Sequence, residues 1–72
     1  MKLYLLTGNS QGYDCAHGFV VRAPDEEQAR RLAARECGDE GPRFWIAQRH
    51  TKCVELLPEG DAKVILRDFN AG

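Results

Sequence analysis

Two short stretches carry residue types able to bind a metal or attack a substrate: Cys15-Ala16-His17 and His50-Thr51-Lys52-Cys53. Two thiolates and two imidazoles complete a tetrahedral zinc site when they converge. A thiol beside an imidazole is also a nucleophile–base pair, provided that the base lies within hydrogen-bond reach and an oxyanion hole is at hand. Cys15 and His17 share a face on an extended chain. Against both chemistries, Cys-x-His is not a common zinc spacing, and Cys53 falls in a strand pattern. No third group is placed to orient an imidazole, and so short a chain has little interior from which to enclose a substrate pocket. Gly8 and Gly12 lack the following helix and the Lys-Ser/Thr pair of a phosphate-cradling loop. No paired-carboxylate site is apparent. The expectation is a non-enzymatic chain with no catalytic residues, no metal and no cofactor. Cys37 is expected in the core, and all three cysteines are expected as reduced cytoplasmic thiols.

Composition bounds the elements that position these residues. Seventy-two residues make a single domain, 1–72, and 43% hydrophobic with 29% charged residues is a globular balance, not that of a disordered chain. A chain of this size buries on the order of 60% of its unfolded surface, so a staple or partner would help it. The net charge of −1 lacks the positive excess that drives generic binding to nucleic acid or membrane. No apolar run approaches the roughly 20 residues of a membrane-crossing helix. Leu3-Tyr4-Leu5-Leu6 is strand-like and has no cleavage site after it, so no secretory signal is expected.

Lys2 to Thr7 reads as a first strand, with Leu3 and Leu5 on one face and Tyr4 and Leu6 on the other. Residues 7–12 carry turn chemistry and open a long hairpin loop. Phe19 to Arg22 reads as a second strand. Pro24 to about Cys37 reads as a helix, with Pro24 at its first position and Asp25, Glu26 and Glu27 in its first turn. Glu26–Arg30 and Glu27–Arg31 are i,i+4 pairs, and Ala29, Leu32, Ala33 and Cys37 form an apolar stripe. Gly38 supplies the stop. Arg43 to Ala47, Cys53 to Leu57 and Ala62 to Phe69 read as three more strands, the last two joined as a hairpin by Pro58-Glu59-Gly60-Asp61. The order β-β-α-β-β-β predicts an α+β domain: a small antiparallel sheet of about four to five strands with one helix packed on one face.

With no reaction centre expected, function is sought on the surface. Residues 24–41 carry net charge −3, and residues 42–54 carry +3. Capping explains the acids at the helix start. Glu36, Asp39 and Glu40 at its exit oppose the dipole, and they offer an anionic surface to a basic partner. Phe44 and Trp45, adjacent in a strand, point to opposite faces, and one helix covers only one of them. An exposed Trp45 flanked by Arg43 and Arg49 has the make-up of a protein-binding anchor, and Tyr13-Asp14 is a second exposed candidate. The partner-binding set is therefore Tyr13, Asp14, Glu36, Asp39, Glu40 and Trp45. The alternative is a nucleic-acid or phage-assembly accessory using Arg43, Arg49 and Lys52, although three cations are too few for strong non-specific binding.

Several features together resemble a family of short uncharacterised proteins from bacteriophages and bacterial genomes. They are the start Met1-Lys2-Leu3-Tyr4-Leu5-Leu6-Thr7, the stretch Gly12-Tyr13-Asp14, and Val20-Val21-x-Ala23 leading into a helix with Ala29-Arg30. Trp45 and the ending Val64-Ile65-Leu66-x-x-Phe69-Asn70-Ala71-Gly72 complete the likeness, which runs over nearly the whole chain. Cys15 and His17 lie outside the family's pattern. The resemblance implies a phage or prophage setting, with the bacterial cytoplasm as location. It also implies a host protein or ribonucleoprotein complex as partner, in the manner of inhibitors of CRISPR and other defence systems.

Overall fold

In a computed structural model, residues 1–9 and 14–68 are described. Strand β1 (Lys2–Gly8) is the centre of a three-stranded antiparallel sheet, flanked by β2 (Gly18–Ala23) and β3 (Thr51–Leu56) in the order β2-β1-β3. Two helices, α1 (Glu26–Arg35) and α2 (Pro42–Ile46), lie between β2 and β3 in the chain. The molecule is thus a small α+β domain, as expected, but with three strands and two short helices in the order β-β-α-α-β.

β1 takes the centre because it is apolar on both sides. In register, Tyr4 pairs with Val21 and Glu55, and Leu6 with Phe19 and Cys53. These residues share the inner face, which the helices cover, and Tyr4, Leu6, Ala23, Ala29, Ala33 and Trp45 form the buried core. The outer face carries Leu3, Leu5 and Thr7 with Val20, Arg22, Lys52, Val54 and Leu56, because side chains alternate along a strand.

The first helix starts two residues later than Pro24 would place it. Asp25, in extended conformation, is the N-cap and accepts a hydrogen bond from the Gln28 N–H at 2.9 Å. A carboxylate caps the helix more strongly than proline starts it, so Pro24 is left outside. Both expected pairs form: Arg30 Nε lies 2.9 Å from Glu26 Oε2, and Arg31 bonds Glu27. The buried stripe is Ala29, Arg30 and Ala33, whereas Leu32 is exposed. Small alanines let the helix sit close to the sheet, and the long arginine fills the space toward α2.

The expected strand from Arg43 to Ala47 is instead the helix α2. Gly41, at φ 87°, turns the chain, and Pro42 stands at the first helical turn. A helical turn also rolls Trp45 inward, where a strand would have sent Phe44 and Trp45 to opposite faces. Trp45 packs edge-on against Phe19 at 4.8 Å between ring centroids and is fully buried. It is therefore not an exposed anchor. Residues 62–68, expected as most of a fifth strand, add no strand to the sheet. They return alongside β3, lining a groove with Leu5, Val54 and Leu56. Phe69, the end of that expected strand, lies outside the described residues. No described helix is long and apolar enough to cross a membrane.

Candidate functional site

The loop after β1 and the turn after α1 meet at one corner. The Asp39 N–H donates to the Asp14 carbonyl at 2.8 Å, and the Ala16 N–H donates to Glu40 Oε1 at 3.0 Å. Gly38 makes this approach possible: a Cβ there would stand 2.0 Å from the Asp14 carbonyl oxygen. Asp14 takes a left-handed φ of 60°, a conformation that aspartate tolerates better than most residues. Asp14 and Asp39, far apart in sequence, thus become neighbours. Both are exposed, as is Glu36, which caps α1 three residues before Asp39.

Glu40 has a different task. Its Oε2 accepts a hydrogen bond from Trp45 Nε1, so it fixes the central core side chain to the corner. Partial burial pushes its carboxyl upward. The bonds from Trp45 and from the N–H groups of Glu40, Ala16 and Gly38 outweigh that, holding it below the usual carboxylate range. Expected as a partner contact, Glu40 is spent inside the molecule. Tyr13 lies outside the described residues. Of the expected set, Asp14, Glu36 and Asp39 remain as outward-facing carboxylates, with Asp14 and Asp39 brought together.

This corner also surrounds Cys15. Partial burial raises the thiol, and the charges of Glu40, Asp39 and Asp14 raise it further, with a backbone hydrogen bond at Glu40 opposing. Cys53, on the inner face of β3, is raised by burial and by Glu26, with Arg30 opposing. Among the described residues no three of His, Cys, Asp and Glu gather where they could hold a metal ion. The two half-sites therefore stay apart: Cys15 sits against the acidic corner, while the ring of His50 stacks on Phe44 at 5.8 Å.

Behind the corner, Arg30 locks α1 to α2 and β3. It is 6% exposed. Its guanidinium donates to the Trp45 carbonyl at 3.1 Å, to Thr51 Oγ1 at 2.5 Å and to the Thr51 carbonyl at 3.2 Å. The planar fork of arginine suits three acceptors arranged around one plane. The sequence contains a signal for this role, since Arg30 stands between Ala29 and Ala33 on the stripe that packs inward.

The basic residues divide between two places. Arg49, His50 and Lys52 line one open groove with Thr7, Gly8 and Asn9. Gly8 is needed there because a Cβ would stand 2.5 Å from Phe44 Cε2. Arg43, on α2, lies outside the groove. Compared with protein-family models, with curated proteins and with solved structures, the chain matches none.

Proposed function

We propose that this protein is a non-enzymatic protein-binding module that covers a basic surface on a macromolecular complex of a bacterial host. The acidic corner is its point of attachment. The observation that supports the reading is that corner's construction. Two segments far apart in sequence are tied by the Asp39 N–H to the Asp14 carbonyl and by the Ala16 N–H to the Glu40 carboxylate, which brings the backbones of Asp14 and Asp39 together. Backbone positions set in advance reduce the ordering cost when their carboxylates meet cations on a partner. Complementary charge speeds encounter and disfavours wrong partners. The phage resemblance suggests the setting: the cytoplasm of an infected cell, and a defence complex of the CRISPR type whose nucleic-acid channel is basic.

The test is capture from bacterial lysate on the immobilised chain, with competition by duplex DNA. A true target is retained by the wild type, released by DNA that competes for its basic channel, and lost by Glu36→Lys/Asp39→Lys. Glu40 is left intact in that variant because it holds Trp45. Glu27→Lys/Asp68→Lys, with the same change of charge elsewhere, should still retain it. Equal retention by both variants refutes the acidic-corner reading.

A second reading has its own observation, the convergence of Arg49, His50 and Lys52 on one groove. It makes the chain a nucleic-acid or phage-assembly accessory. A mobility shift at low salt that disappears in Arg49→Ala/Lys52→Ala would favour it, and no retardation at low salt removes it.

A further inference from the structure

The groove between the end of β1 and the turn before β3 carries positive charge alone. Arg49, His50 and Lys52 line it on one side and Thr7, Gly8 and Asn9 on the other, and no described carboxylate lines it. We propose that this groove is a nucleotide site: it takes one nucleoside phosphate, with the base stacked on His50 and the phosphate held by Arg49 and Lys52. This is the groove of the second reading, given a small ligand in place of a strand, and it is independent of the acidic corner.

The walls are set before any ligand arrives. Gly8 pairs with Thr51 and Thr7 with Lys52 in the register of β1 and β3. Thr51 is buried and accepts from Arg30, and the His50 N–H donates to the Ala47 carbonyl at 3.2 Å, which closes the turn carrying Arg49 and His50. Because Gly8 has no Cβ, the Phe44 ring presses against the backbone there. His50 lies parallel to that ring, with planes 6° apart and centroids 5.8 Å apart. Phe44 is half-buried and gives the stack a fixed base, while His50 is exposed. A base laid on the other side of the imidazole extends the stack by one ring, and every base has a π-face to offer.

Charge and size select the ligand. Arg49 Nε donates to His50 Nε2 at 3.4 Å, a long bond that draws the guanidinium beside the ring. Its two terminal nitrogens and the Lys52 ammonium meet no partner among the described residues. A guanidinium presents two N–H groups to two phosphate oxygens, and an ammonium adds a point charge. Two permanent cations balance the charge of about −1.5 to −2 on one terminal phosphate, not that of a run of phosphates. The groove holds about 370 Å3. Small-ligand clefts begin at about 300 Å3, so there is room for one nucleotide. A long strand would also have to settle on a chain of net charge −1.

Titration of the full chain with adenosine monophosphate, followed in amide NMR spectra, tests this. The expected result is saturable shifts at Gly8, His50, Thr51 and Lys52, with a dissociation constant on the order of 1 mM or below. His50→Ala should weaken binding by about fivefold or more, and His50→Phe should restore it, since the stack holds the base. Arg49→Ala/Lys52→Ala should weaken it by about tenfold. All three positions are exposed, so the spectra outside the groove should stay those of the wild type. Adenosine, which lacks the phosphate, and inorganic phosphate, which lacks the base, should each bind about fivefold less tightly or worse. No saturable shift up to about 10 mM overturns the proposal. So does adenosine or inorganic phosphate binding as well as the nucleotide, or a loss in His50→Ala that His50→Phe does not repair. A short single strand that binds about tenfold more tightly, with shifts running beyond the groove, overturns the small ligand in favour of a nucleic acid. Lysate capture by Arg49→Ala/Lys52→Ala reports on the acidic corner separately, because that variant leaves Asp14, Glu36 and Asp39 in place.

Discussion

Replacing Arg30 is expected to cost this protein a large part of its stability. Arg30→Met keeps much of the buried aliphatic stem but removes every donor. The carbonyls of Trp45 and Thr51, which accept from the guanidinium at 3.1 and 3.2 Å, then lose that partner within a buried site. Each such loss costs about 1–3 kcal/mol. Thr51 Oγ1 keeps a role because its hydroxyl can donate to the Trp45 or Ala47 carbonyl. The ion pair with Glu26 adds under ~1 kcal/mol, since the Glu26 side chain is nearly half exposed. The two carbonyls and the ion pair together come to about 2–7 kcal/mol, against a total near 4–11 kcal/mol for a domain of this length. Arg30→Lys retains the charge but lacks the fork, and should lose about 2 kcal/mol. Glu26→Gln should lose about 0.5 kcal/mol. Urea unfolding followed by the emission of Trp45, the single and fully buried tryptophan, reads all three at one fixed protein concentration. With a slope near 1 kcal/mol/M for a small domain, the midpoint of Arg30→Met falls by at least about 2 M. A midpoint within about 0.5 M of the wild type, or a Glu26→Gln loss as large as that of Arg30→Lys, would refute the assignment of Arg30 as the tie between helices and sheet.

Two further outcomes follow from the acidic corner. The Glu40 carboxyl is depressed in the folded state, so its contribution is present above the unfolded carboxylate range near pH 4.3 and is lost as pH falls through its lower folded value. Glu40→Gln should lower stability at neutral pH by about 1–2 kcal/mol and flatten the acid limb of the stability–pH curve; an unchanged limb would mean that the carboxylate is not bonded to Trp45. Cys15, raised by partial burial and by Glu40 and Asp39, should react with iodoacetamide at mildly alkaline pH more slowly than a free thiol. Gly38→Ala, which drives a Cβ into the Asp14 carbonyl, should part the two loops and speed that reaction, as followed by mass spectrometry in a chain with Cys37 and Cys53 replaced by Ser. Equal rates would show that the loops are not held together there.

Local signals were legible where one residue decides the geometry. The alternation of Leu3 to Leu6, the β-branched stretch at 19–22, and the spacing of Glu26, Glu27, Arg30 and Arg31 depend on neighbours a few residues away, and the elements they indicate are all present. The acids after α1 were legible too, but not their division of labour. Whether a carboxylate faces a partner or a tryptophan depends on which segment comes to rest against it, and Glu40 meets Ala16 and Trp45 only after the chain has closed.

Periodicity and short-range charge pairing are written locally, and they suffice for an α+β domain built on an apolar first strand, a salt-bridged helix and an acidic helix exit. That residues 42–46 coil instead of extending depends on contacts distant in sequence, since burying Trp45 against Phe19 outweighs the strand propensity of Phe-Trp-Ile. Such contacts also decided that Arg30 is buried and Trp45 is not a surface anchor. The same assembly leaves Leu3, Val20 and Val54 in water, because two short helices can cover only one side of a sheet.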